Sequence, residues 1–454
     1  MDLTGKKVLV VGLARTGVAL TRFLAQAGAR VTVTDRSPAG ELADMRALIR
    51  DLSVVEQLGV PEPDDVRDFD LILLSPGVPP ELPWLEGARQ NGIPVWGELE
   101  LAGHFLTRPV IAVTGTNGKT TTTTLVAKFL AASGMAALVG GNIGTPLVAL
   151  LDQQQDADRL VLEISSFQLD TAPHFHPQYA ALLNITPDHL DRYPDYAAYI
   201  RSKAGLFRLM TPEEPKVLNY DDPLVRPLGR GLKQVFYFSA SEPLATGAWL
   251  ADGAIKVRLT PAGTEEEFPL AAIRLQGSHN QENIMAALLL SLLAGADPQA
   301  CREVLADFAG LPHRLEWVAT RNGVDFYDDS KGTNVGAAAR ALRSFDRPIV
   351  LIAGGRDKDS DFSLLNNLIR ERVKALVLVG ETRDRLARIW KGLAPAYLAD
   401  NMAEAVAHAA GLASPGDVVL LSPACASFDM FRDYAHRGEV FQKAVKEGAH
   451  AEKS

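Results

Sequence analysis

Only two cysteines, Cys301 and Cys425, occur in 454 residues. That is too few for a disulfide framework, so a reducing cytosol is the expected compartment. Positive charge is short as well: 46 Lys+Arg against 55 Asp+Glu leave a formal −9. Broad binding of nucleic acid or of an anionic membrane needs a basic surface field and is not expected. No stretch is long and apolar enough to span a bilayer. Lys6-Lys7 followed by VLVVGLA has the outline of a signal peptide. The run is short, soon meets Arg15 and lacks a small-residue cleavage pattern, so a first strand is expected instead. Neither a repeat of solenoid period nor a low-complexity tract is found. Secreted, membrane-embedded, collagenous and disordered classes are set aside by these absences. What is there is 47% hydrophobic and 22% charged residues, the composition of a globular protein. The length suggests about three domains at roughly 150 residues each.

Apolar strand-like runs alternate with helix-length segments almost throughout, which predicts parallel α/β architecture. A first block holds KVLVVGL, a helix from about Gly17, ARVTVTD, a second helix, FDLILLSPGV, a last helix and IPVWG, closing near residue 97. A second opens with PVIAVTG at 109–115 and continues with strands at 159–165 and 179–186. GAWLADGAIKVRL, with its Asp-Gly turn, predicts an antiparallel hairpin, and 279–295 a helix ending at Gly295. A third block has VDFYDDS, PIVLIAGG, ALVLVG and DVVLLSP as strands.

Gly12-Leu-Ala-Arg-Thr-Gly17 follows a strand, and Asp35 ends the next. A dinucleotide fold seats a pyrophosphate and a ribose at these places. Ala14 replaces the second glycine, so a plain strand–helix turn is an equal alternative. Val-Thr-Gly115-Thr-Asn-Gly118-Lys119-Thr120-Thr121 lies between a very apolar strand and a helix. Backbone amides of such a loop cradle phosphates, the lysine meets the β/γ oxygens and a threonine hydroxyl ligates Mg²⁺. Val113 stands where the general spacing has its first glycine, but a mere turn leaves Lys119 and the threonines unexplained. Binding of ATP or GTP is expected. Glu163, at the carboxyl end of a strand downstream of this loop, suits a Mg²⁺ ligand, with a salt bridge as the alternative. Asn184-Ile-Thr-Pro-Asp188-His189-Leu-Asp191-Arg192-Tyr193, with Lys203 beyond, reads as a metal site or a surface cluster. In the third block, Arg314, Asp329, Lys331, Thr333, Arg356, Lys358, Ser427 and Phe428 fall in loops. All but Arg314 sit just past predicted strands, where open α/β sheets bind ligands. Cations and a serine before a helix suit a small anion there.

Taken together, VTGTNGKTT, Gly141-Asn142-Ile-Gly, LEISSFQL, NITPDHLDRY, GSHNQEN, GLPHRLE and DDSKGTN, in collinear order over nearly the whole chain, resemble the Mur ligases of peptidoglycan synthesis. DSKxTN and SPACAS resemble the D-glutamate-adding branch in particular. The resemblance implies three α/β domains: a Rossmann-like N-terminal domain (1–97) for a UDP-sugar, a P-loop ATPase-like central domain (98–310) for ATP, and a Rossmann-like C-terminal domain (311–454) for the amino acid. It implies an ATP-dependent amide ligase that activates UDP-N-acetylmuramoyl-L-alanine as an acyl phosphate for attack by D-glutamate. It further implies that Gly115, Thr116, Asn117, Gly118, Lys119, Thr120 and Thr121 hold the ATP phosphates. Thr120 and Glu163 would share one Mg²⁺, while His189 and a carbamylated Lys203 would serve a second. Asn280 and Asn283 are implied at adenine, Arg314 and Asp329 at phosphates and ribose. Arg15, Thr16, Asp35, Arg36, Ser75, Gly77, Asn142 and His189 are implied at the UDP substrate. D-Glutamate falls to Lys331, Thr333, Lys358, Ser427 and Phe428, with Lys119, His189, Lys203 and Arg314 catalytic. Tyr434 stands where the family often has Phe. Neither nucleic acid nor membrane is an expected partner, and a cytoplasmic monomer is expected.

Overall fold

The computed structural model describes the whole chain except Pro61, Asp64, His189, Leu190, Asp191, Gln276, Lys358, Asp359, residues 452–454 and the side chains of 448–451. The chain divides into two compact units. One comprises Met1–Ile185, Ala197–Arg274 and Asn280–Asp307; the other comprises Thr186–Tyr196, Leu275–His279 and Phe308–Ser454.

The first unit holds two sheets. One contains β1 (Lys7–Val11), β2 (Arg30–Asp35), β3 (Val54–Leu58), β4 (Leu71–Leu74) and β5 (Val95–Gly97). They are all parallel, in the order β3-β2-β1-β4-β5. β4 (LILL) is buried throughout and β1 in all but its first residue. Parallel strands covered on both faces are continuous apolar runs for this reason, and the sequence pattern reveals them directly. The chain leaves β1 for β2 on one side and β4 on the other, which opens a crevice at the carboxyl ends of β1 and β4. The helix expected after Asp35 is only Ala43–Ala47, with Pro38 and Gly40 in the segment before it. The edge strand β3 (VVEQL), half exposed and mixed in character, was not evident from the sequence.

The second sheet has β6 (Val110–Thr114), β7 (Ala137–Gly141), β8 (Arg159–Glu163), β9 (Tyr179–Leu182), β10 (Lys216–Asn219), β11 (Val235–Ser239), β12 (Gly247–Ala251), β13 (Ala254–Arg258) and β14 (Glu266–Pro269). Its order is β14-β13-β12-β11-β10-β9-β6-β8-β7. β6, with every residue buried, lies between β8 and β9. The predicted hairpin is present. Asp252 (φ 53°) and Gly253 (φ 74°) form the left-handed two-residue turn that joins antiparallel β12 and β13. The helix Ser278–Leu293 stops before Gly295, which has φ 97°.

Glu98, just after β5, is buried, and its Oε1 accepts from the Val148 amide at 2.7 Å. Burial outweighs the Leu147 and Val148 amides and pushes its carboxyl up to about 7. The folded form therefore binds the proton more tightly than the unfolded chain, and stability is lost as pH rises from about 4.5 through about 7. Glu98→Gln keeps an acceptor for the amides and removes the titration. Its melting temperature relative to the parent is expected to rise between pH 5 and pH 8; a pH-independent difference in thermal melts would contradict this.

The second unit holds β15 (Glu316–Arg321), β16 (Val324–Asp328), β17 (Ile349–Ala353), β18 (Val373–Val379), β19 (Ala396–Ala399) and β20 (Val418–Leu421). The order is β15-β16-β20-β17-β18-β19, parallel except for β15. β17 and β20 are wholly buried. The chain's last strand thus enters between β16 and β17, so the loops after β16, β20 and β17 adjoin.

Candidate functional site

After β6, Gly115 (φ 149°) and Gly118 (φ 85°) take conformations that side chains resist. A Cβ on Gly118 would also collide with Asn283 Oδ1. The turn therefore stays bare of side chains at the start of the helix Lys119–Ala132, where amides and dipole favour phosphate. Lys119 folds back so that Nζ donates to Gly115 O and Thr116 O, both at 2.9 Å. The Thr120 hydroxyl donates to Glu163 Oε2 at 2.7 Å, and Asn142 Nδ2 donates to Glu163 Oε1 at 2.7 Å. A hydroxyl and a buried carboxylate beside a phosphate loop are hard oxygen donors, and they fit Mg²⁺. Lys203, 2% exposed, donates to Gly115 O at 3.0 Å and lies over the Tyr199 ring. The Tyr199 hydroxyl is 3.0 Å from Thr116 Oγ1. Asn283 Nδ2 donates to Asn280 Oδ1 at 3.3 Å, so this pair stands against the loop through Asn283. Thr121 is buried in the first helical turn.

Asn184, quoted within a motif but given no role from sequence, clamps this loop. Its Oδ1 accepts from Asn117 N at 2.9 Å and its Nδ2 donates to Asn117 O at 3.0 Å, while its own carbonyl accepts from Thr116 N at 2.9 Å. The amide imitates a backbone pairing one strand over from β6. Its signal in the sequence is only a polar residue two positions past β9. Asn184→Ala removes both side-chain bonds and is expected to raise the KM for ATP about tenfold; an unchanged KM in steady-state assays would contradict this.

At the crevice of the first sheet, Gly17 is required because a Cβ there would collide with Gly12 O. Ser75 Oγ donates to Gly12 O at 2.7 Å. Both Asp35 oxygens accept backbone amides, from Leu13 at 2.7 Å and Ser37 at 2.8 Å. This carboxylate thus shapes the loops after β1 and β2. Arg15 donates to Gly144 O, in the loop after Asn142. Thr16 is half-buried, and Arg36 and Gly77 are exposed.

In the second unit, Arg314 sits between two strained residues, His313 (φ 62°) and Leu315 (φ 46°). Two neighbouring carboxylates hold that turn. Asp328 Oδ2 lies 2.7 Å from His313 Nδ1, and Asp329 accepts from the Leu315 amide. The Asp328 carboxylate raises the His313 pKa. Gln442 Nε2 donates to Asp328 at 2.9 Å and Glu316 at 3.0 Å, so His313, Glu316 and Asp328 form a satisfied hydrogen-bond cluster. Burial pushes the Asp329 carboxyl up to about 7, against the pull of Ser422 and Arg314. Ser422 Oγ donates to it at 2.7 Å. Lys331 Nζ stands 3.9 Å over the Tyr434 ring. An aromatic wall at 434 thus already carries a cation. Thr333 is half-buried, Ser427 buried and Phe428 62% exposed. His189 and Lys358 lie outside the described residues.

A P-loop with a paired hydroxyl and carboxylate, on a chain with two further sheets that are parallel apart from β15, defines a nucleotide-dependent enzyme of the phosphoryl-transfer class. Residues 6–97 match the Mur ligase MurD-like N-terminal domain, 113–291 the Mur ligase middle domain and 313–425 the Mur ligase glutamate ligase domain. The UDP-N-acetylmuramoylalanine–D-glutamate ligase of Geotalea uraniireducens is 49% identical over 447 residues, covering 98% of each chain. The enzyme of that name from Citrifermentans bemidjiense is 46% identical over 453 residues, covering 100% of each. Among solved structures, a pseudomurein peptide ligase type C from Methanothermus fervidus superposes with a TM-score of 0.62 at 16% identity, covering 98% of this chain and 100% of its own. UDP-N-acetylmuramate-alanine ligase from Thermotoga maritima superposes with a TM-score of 0.59 at 20% identity, with the same coverage. These two share the fold. The chain belongs to the Mur ligase family.

Proposed function

We propose that this chain joins D-glutamate to UDP-N-acetylmuramoyl-L-alanine using ATP, in peptidoglycan precursor synthesis. Near-half identity to D-glutamate ligases over the full length carries this reading. In this reading the chain acts in the cytoplasm, where peptidoglycan precursors are built, as a monomer. Its domains are 1–97 for the UDP-sugar, 98–310 for ATP and 311–454 for the amino acid.

A carboxylate is a poor acyl donor, so the γ-phosphoryl of ATP is transferred to the L-alanyl carboxylate. The D-glutamate amine then attacks the acyl phosphate carbonyl. A C–N bond forms, the C–O bond to phosphate breaks with its electron pair leaving on phosphate, and the amine gives up a proton. Residues 115–121 cradle the ATP phosphates, and Lys119 exchanges its carbonyl partners for phosphate oxygens. Thr120 and Glu163 would hold Mg²⁺, with His189 and a carbamylated Lys203 serving a second ion; bound there, the metal would supply charge neutralisation on the phosphates. Asn280 and Asn283 face adenine, Asp329 the ribose, and Arg314 the phosphates. Arg15, Thr16, Asp35, Arg36, Ser75, Gly77, Asn142 and His189 contact the UDP substrate. Lys331, Thr333, Lys358, Ser427 and Phe428 hold D-glutamate. The test is phosphate release from ATP with UDP-N-acetylmuramoyl-L-alanine, with and without D-glutamate. Sustained release only with D-glutamate is expected, whereas equal stimulation by L-alanine or L-lysine would overturn the assignment.

A further inference from the structure

Arg437 lies in the first turns of the last helix, Tyr434–Ala451, and is 2% exposed. Among the described residues none of its hydrogen bonds goes to a carboxylate, although Asp429, Asp328 and Asp329 act on its charge through space. Nε donates to Ser330 Oγ at 2.9 Å, Nη2 to Ser330 O at 2.8 Å, and Nη1 to Cys425 O at 3.1 Å and Ala426 O at 3.3 Å. Every partner is neutral and three of the four are backbone carbonyls. A buried guanidinium hydrogen-bonded only to neutral groups is a costly way to hold a fold together, and an apolar side chain would do that more cheaply. What the planar fork supplies is direction, since several fixed donors set the positions of two loops at once.

Those loops follow β16 and β20. The first carries Lys331 and Thr333, the second Ser427 and Phe428. The loop after β17 is tied into the same knot. Arg356 N donates to Ala426 O and Ala426 N to Arg356 O, each at 2.9 Å. Gly355 is needed there, because a Cβ would collide with Ala426 O and come within 3.1 Å of Arg437 Nη1. Ser330 Oγ, besides accepting from Arg437, donates to Tyr434 O at 2.7 Å, anchoring the first loop to the helix start.

We infer that Arg437 is a positioning residue for amino-acid binding: its guanidinium laces the loops after β16 and β20, and through Ala426 the loop after β17, into the geometry that receives D-glutamate. This rests on the reading of those loops as the D-glutamate subsite. Lysine at this place keeps the charge but cannot reach four acceptors in two loops. Arg437→Lys is therefore expected to raise the KM for D-glutamate about 10- to 100-fold, with the KM for ATP within about twofold. A residue with a merely structural role would lower the melting temperature and shift all constants together. That pattern, or an unchanged KM for D-glutamate, overturns the inference. Ser330→Ala removes one acceptor and leaves the carbonyls, so it carries the test if Arg437→Lys does not fold; a rise of about threefold to tenfold is expected, and no rise overturns the inference. Lys331→Ala separates the two readings. If it leaves the KM for D-glutamate unchanged, the subsite reading fails and this inference with it. If it raises that KM while Arg437→Lys and Ser330→Ala do not, this inference alone fails.

Discussion

Lys119→Ala is expected to lower the rate of ATP-dependent ligation about 10³-fold while the protein remains folded. The lysine is held ready: Nζ makes two 2.9 Å bonds to carbonyls of its own loop, which fix the ammonium at the start of the helix before nucleotide arrives. Little reorganisation is then needed when phosphate oxygens replace those carbonyls, and charge built up during phosphoryl transfer meets a cation already in place. The side chain adds no core packing, so the loss falls on turnover. Lys119→Arg is expected to recover little, since a wider planar head does not fit between Gly115 O and Thr116 O. Phosphate release measured beside circular dichroism checks this. A folded alanine variant that keeps a tenth of the parent rate would refute the role.

The second large effect concerns Lys203. It is 2% exposed, donates to Gly115 O and stacks over Tyr199, whose hydroxyl meets Thr116. A buried amine against a phosphate loop already rich in donors is a poor choice for yet another cation. A carbamate there would turn the same stem into a carboxylate-like ligand, matching the oxygen donors Thr120 and Glu163. Lys203→Ala is expected to lose about 10³-fold in activity, and short carboxylic acids are expected to restore at least about tenfold of it by filling the vacated space. Mass spectrometry of the parent in bicarbonate should show the added carbon dioxide. Full activity of the unrescued variant would remove Lys203 from the mechanism. Loss without rescue, and without a mass shift, would leave a plain lysine.

Much of this was legible in the chain itself. β1, β4, β6, β17 and β20 are apolar runs because both faces of a parallel sheet are covered, and a buried strand leaves that mark wherever it lies in the fold. The phosphate loop is legible for a related reason: its glycines, lysine and threonines act within one turn, so their spacing along the chain is their spacing in space. The Asp252-Gly253 turn is equally local. β3, β7, β14, β15 and β19 were missed because edge strands are half exposed and most mix polar with apolar residues. The interior strands β10 (KVLN) and β11 (VFYFS) were missed because they are short and carry polar residues. The short Ala43–Ala47 helix was overestimated because apolar periodicity does not register what Pro38 and Gly40 interrupt.

The sequence by itself determined the α/β class and the glycine-lysine-threonine loop after β6, since each of these depends on neighbours in the chain. Tertiary structure decided which loops share a site. Nothing local says that β20 enters between β16 and β17, and that placement lets the Ala424 amide donate to Gly332 O at 2.9 Å, tying the loop after β20 to the one that carries Lys331. It also decided the work of Asn184, which reaches 67 residues back to Asn117, and of Arg437, which reaches 107 residues back to Ser330. Contacts across such separations have no periodicity and no motif. The −9 charge is a property of the whole chain, whereas a site for a small anion depends on where the fold gathers a few cations and bare amides at strand ends.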